Sequence, residues 1–119
     1  MHDLEFLRAN RYRVAAPVSF WWPDADESVQ ASEGTTRDIS GNGLMVLAGR
    51  CPPVGVRVQM TVFISRSGID PFPMELHGEG SVVRIEYGKI GNSGTHPVGF
   101  AASVYFHQEM PSDSRPIEQ

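Results

Sequence analysis

From Val54 to Ile64 every second residue is apolar: Val54, Val56, Val58, Met60, Val62 and Ile64 are separated by Gly55, Arg57, Gln59 and Thr61, with Phe63 the one exception. A period of two is the repeat of a β-strand, whose successive side chains point to opposite faces. The stretch therefore predicts a strand whose even positions enter the core. Pro52, Pro53 and Gly55 mark its start, and residues 66 to 73, with Gly68, Pro71 and Pro73, read as the loop after it.

The same period recurs elsewhere. Val14, Ala16, Val18, Phe20 and Trp22 alternate with Ala15, Pro17, Ser19 and Trp21, which predicts a first strand with one buried face and sets the two tryptophans on opposite sides of it. Pro17 points to an edge or a bulge. Pro23 to Glu27 is an acidic turn, residues 28 to 37 form a weaker strand candidate, and Leu44 to Leu47 is a short apolar strand ending at Gly49. Val98, Phe100, Ala102, Val104 and Phe106 predict a last strand. Before it the phase changes: Met74 and Leu76 are even, whereas Val83, Ile85 and Tyr87 are odd, so one extra residue is expected near Gly78 and Gly80, at a bulge or barrel corner. Six strand candidates without a helix, spaced by turns, fit an all-β, six-stranded antiparallel β-barrel, the closed form that removes exposed edges. Residues 1–13 read as an N-terminal arm, 14–107 as the barrel and 108–119 as a short polar tail.

A chain of 119 residues is one domain, and 40% hydrophobic with 20% charged residues is the composition of a folded one. The net charge of -4 argues against general nucleic-acid binding, which rests on neutralising many phosphates. A lone Cys51 excludes an intramolecular disulfide, and no Cys/His pair has zinc spacing. The four histidines, His2, His77, His96 and His107, are scattered and read as surface or strand residues. No nucleophile elbow or P-loop lysine is present, and neither a signal peptide nor a membrane span is discernible. A cytoplasmic protein that is not an enzyme is expected.

Two stretches carry chemistry. Arg8, Arg11 and Arg13 bring three guanidinium groups into six residues with no acid among them. Guanidinium bonds phosphate bidentately, grips the O6/N7 edge of guanine and stacks on a base, three things lysine cannot all do. Taken alone, the stretch also reads as a solvated basic arm. Asp38-Ile39-Ser40-Gly41-Asn42-Gly43-Leu44 reads as a tight turn between two strands. Asp38 and Ser40 share a face if extended, and Gly43 leaves the backbone open to a ligand. Asp38 repels phosphate but accepts from guanine N1 and N2, with Ser40 donating or accepting beside it. Taken alone, Asp-x-Ser before Gly is equally a turn bonded to its own backbone.

The complete D-x-S-x-x-G at Asp38, Ser40 and Gly43 follows the arginine arm and the run Arg13-Val14-Ala15-Ala16-Pro17-Val18. With Gly80-Ser81-Val82-Val83-Arg84 and Val98-Gly99-Phe100 after it, this order resembles the PilZ domain family of bacterial cyclic di-GMP receptors over nearly the whole chain. The resemblance implies a six-stranded barrel of PilZ type whose arm closes on cyclic di-GMP. The ligand-binding residues would be Arg8, Arg11, Arg13, Asp38, Ser40 and Gly43, with no cofactor and no metal. It also implies a second-messenger receptor that changes its interaction surface for a protein effector as yet unidentified, as a monomer or a homodimer. The family's R-x-x-x-R is not met, since the pairs four apart are Leu7 with Arg11, Arg8 with Tyr12 and Ala9 with Arg13. The rival expectation is a degenerate PilZ adaptor that binds protein and no nucleotide.

Overall fold

A computed structural model describes residues 11–65, 74–89, 91 and 94–108. The strands are β1 (Pro17–Pro23), β2 (Val29–Ser40), β3 (Gly43–Leu47), β4 (Arg57–Ile64), β5 (Met74–Lys89) and β6 (Thr95–Gln108). Each pairs antiparallel with its neighbours in the order β1-β2-β3-β6-β5-β4, and β4 returns to β1 to close the barrel. The all-β, six-stranded antiparallel barrel expected from the sequence is the fold observed.

The alternation that predicted β4 is the alternation of its burial. Val58, Met60, Val62 and Ile64 point inward, while Val54 lies in the preceding turn and is exposed. Ala16, just before β1, and Val18, Phe20 and Trp22 within it meet them, with Leu76, Val82, Phe100, Ala102, Val104 and Phe106 from β5 and β6. Phe20 packs edge-on against Phe100, ring centroids 5.0 Å apart, and stacks on Trp22 at 5.8 Å. Each such fully buried side chain contributes about 1.5–3 kcal/mol of transfer free energy. Arg50 closes one end of this core, its guanidinium 5.5 Å from the Trp22 ring and bonded to the Ala31 carbonyl. Trp21 lies on the other face and donates its indole N–H to Gln59. Pro17 opens β1, where a missing N–H costs little.

Three elements depart from the sequence reading. The weak strand expected over 28–37 extends to Ser40, because it is paired by β1 along its first half and by β3 along its second. The tight turn accordingly shrinks to Gly41-Asn42, and Asp38 to Ser40 are strand residues. In β5 the phase change falls at Val83, where the pairing with β6 slips between Val82 and Arg84. Gly78 and Gly80 stay in register, and Val83, expected inside, is 52% exposed. Gly80 is needed for another reason: a Cβ there would sit 1.9 Å from the Ser103 carbonyl oxygen, so only glycine lets β5 and β6 approach so closely.

Candidate functional site

A second slip, between Thr36 and Asp38, builds the candidate site. Up to Thr36 the even positions of β2 face inward; after the extra residue, Arg37, the buried core residue is Ile39. Asp38 and Ser40 therefore lie on the outer face of the barrel, yet both are buried. The chain before β1 runs over this region. Tyr12 exchanges backbone hydrogen bonds with Ile39 at 2.8 and 2.9 Å and packs against the core. Thr36 bridges the irregular ladder, since its hydroxyl accepts from the Ala16 N–H at 2.9 Å and donates to the Val14 carbonyl. The arm is thus stitched along β2, and Arg11 is carried to Asp38.

Asp38 is the centre of the arrangement. Its Oδ1 accepts from Arg11 Nη1 at 2.5 Å and its Oδ2 from Arg37 Nε at 3.0 Å. The carboxylate is 7% exposed, against 61% for Arg11 and 44% for Arg37. Burial alone would raise the Asp38 pKa, but the hydrogen bonds from Arg37 and Arg11, reinforced by their charges, outweigh it and hold the carboxyl below its usual range. Ser40 donates to Asn42 Oδ1 at 3.0 Å and lies 3.3 Å from the Gly43 carbonyl, which ties the hairpin tip together. Gly43 faces β6 so closely that a Cβ would meet the Ala102 carbonyl at 2.8 Å.

Beside this clasp lies a cleft of about 360 Å³, open to solvent. Arg11, Arg37, Asp38 and Gly43 form one wall, and Val83, Arg84 and Ser103 form another. Three arginines thus face the space with a single acid, although Arg84 also pairs with Glu86 at 2.7 Å. An excess of guanidinium around an open cleft is suited to a small anion carrying phosphates.

Of the expected ligand-binding residues, Arg11, Asp38 and Gly43 meet at the cleft, and Ser40 lies behind it in the hairpin. Arg13 is exposed and is not among the residues that line it. Arg8, with most of the 1–13 arm and the tail from 109, lies outside the described residues. Sequence reasoning missed Arg37 altogether. In a regular strand, neighbours point to opposite faces, so an arginine next to Asp38 should turn away from it; the bulge alone allows both to meet. Arg84 carried a signal only as part of the Gly80-to-Arg84 segment.

Among the described residues there is no group of three or more His, Cys, Asp and Glu that could hold a metal. His77 and His107 stack across β5 and β6, and burial pushes the Cys51 thiol pKa up. Among the described residues no helix is long and apolar enough to cross a membrane.

No family model matches the chain, and no curated protein matches it. Among solved structures it is similar to the PilZ domain with c-di-GMP of YcgR from Escherichia coli, with 22% sequence identity and a TM-score of 0.42 over 88% of this chain and 82% of that one.

Proposed function

We propose that this chain is a cyclic di-GMP receptor domain, acting in the cytoplasm by binding and not by catalysis. The observation that carries the reading is the clasp of Arg11 and Arg37 on Asp38 at the wall of an arginine-lined cleft. Binding would be an exchange of partners. The ligand's phosphates take over the guanidinium groups, and the freed Asp38 carboxylate accepts from guanine N1 and N2. Gly43, which lets β3 lie close against β6, and the Ser40-bonded hairpin tip hold this wall of the cleft in place. Arg8, three residues upstream of Arg11 in the sequence, would add a further guanidinium to the ligand, and the displaced arm would offer an effector protein a new surface. Such a switch works only through contacts that the ligand makes better in one arrangement than in the other.

A second reading is favoured by one feature of the clasp. Both Asp38 oxygens already have arginine partners, so the motif is satisfied as a structural lock that fastens the arm to the barrel. A protein-binding adaptor that ignores nucleotide would look the same. Calorimetric titration with cyclic di-GMP, with GTP as control, separates the two. A receptor gives saturable heat that falls at least tenfold in affinity on Arg11→Ala or Arg37→Ala, while the barrel stays folded. Absence of heat at high ligand concentration, with a folded wild-type protein, leaves the adaptor.

A further inference from the structure

Strand β5 outruns the barrel. β4 pairs with it as far as Arg57 opposite Ser81, and the turn before β4 takes the backbone of Val82, through Gly55 N–H to Val82 O at 2.8 Å and Val82 N–H to Val56 O at 3.1 Å. From Arg84 to Lys89, β5 is paired by β6 alone, Val83 being the extra residue at which the ladder slips. Among the described residues no backbone lies along its other edge. An open edge of this kind offers unpaired N–H and C=O groups to another strand.

The residues on that edge read Arg84-Ile85-Glu86-Tyr87, and their charges are symmetric about Ile85. Opposite charges stand one position to either side. Val83 is 52% exposed and Tyr87 62%, an unusual pair of apolar groups to leave in water on one short segment. We infer that this edge pairs antiparallel with the same edge of a second copy of the chain, about a two-fold axis at Ile85.

The pairing is self-complementary, as a two-fold contact must be. Arg84 of each copy lies opposite Glu86 of the other, and Ile85 of each lies opposite Ile85 of the other. Charged residues on an edge ordinarily discourage pairing; at this register each meets its opposite. The register is also specified. Antiparallel pairing shifts by two residues at a time to keep the hydrogen-bonding groups matched, and the next registers set Glu86 against Glu86 or Arg84 against Arg84. Within one chain Arg84 already holds Glu86 at 2.7 Å, so association extends an existing ion pair into an alternating array of four charges.

The test is the mass in solution of the full-length chain, without nucleotide, by sedimentation equilibrium. The wild type should approach twice its 13.1 kDa monomer mass as concentration rises. Arg84→Glu and Glu86→Arg should each weaken association at least tenfold, because each sets like charges against one another across the axis. An equimolar mixture of the two variants should regain the dimer, since every contact between unlike copies is again Glu against Arg. This recovery distinguishes contact between chains from the ion pair within one, which stays broken in both variants. A wild type that remains at monomer mass up to millimolar concentration, single variants that dimerise as the wild type does, or a mixture that stays monomeric would each overturn the inference.

Discussion

Replacing Asp38 by Ala removes the one acceptor that two arginines share, and the structure sets bounds on the cost. The carboxylate is 93% out of solvent by its 7% exposure, so the pair is not an ordinary surface ion pair worth about 0–1 kcal/mol. Its partners are 61% and 44% exposed, so neither guanidinium is left buried and unpaired, and the roughly 3–5 kcal/mol penalty of a broken interior pair does not apply. A loss of about 1–2 kcal/mol lies between these limits, or a fall of roughly 4–10 °C in Tm for a domain of this size. The dependence on pH has a definite sign. The folded-state pKa of Asp38 is depressed, so its contribution is present above the carboxylate's unfolded value and is lost as pH falls through the folded one. Urea unfolding of wild type and Asp38→Ala at pH 7 and at a series of values down to pH 3 should show a gap that is full at neutral pH and narrows in acid. Equal stability at pH 7, or a gap that widens as pH falls, would refute the account of the clasp.

Two further substitutions probe the framework that holds it. Gly80→Ala places a Cβ 1.9 Å from the Ser103 carbonyl and must part β5 from β6, so it should cost about 3 kcal/mol or more, read as a drop in the urea midpoint. Thr36→Val keeps shape but leaves the Ala16 N–H and the Val14 carbonyl without their hydroxyl partner, for about 1–3 kcal/mol. Hydrogen exchange should show the loss first at Ala16, with faster exchange there even under conditions where the barrel is intact.

What could be read from the sequence was whatever a constant period reveals. In Val58 to Ile64 and Phe100 to Phe106 every second residue is apolar, and these inward residues were identifiable one by one. β2 was faint because Gln30, Ser32 and Gly34 point inward without being apolar, and its strand character comes from pairing on both sides. Each bulge defeated the period locally. Val83 took an odd number for an inward direction, and Arg37 was assigned to no site because regular pleating would have turned it from Asp38. Arg11 and Asp38, 27 residues apart, were each read as partners of a ligand and not of one another, and the Thr36 hydroxyl that positions the arm had no signature in its neighbours.

The extra residue at Arg37 makes β2 behave like a text whose reading frame changes partway along. Upstream, even numbers are interior; downstream, Ile39 is interior and Asp38 belongs to the surface chemistry. Straightening the ladder at constant length would impose a single frame, drawing the Asp38 carboxylate into the oil and expelling Ile39. Core and site would fail together, although no residue of either had been altered. The bulge itself therefore sets which side chains are interior, and the acidic turn at residues 24–28, outside both frames, is where insertions can accumulate.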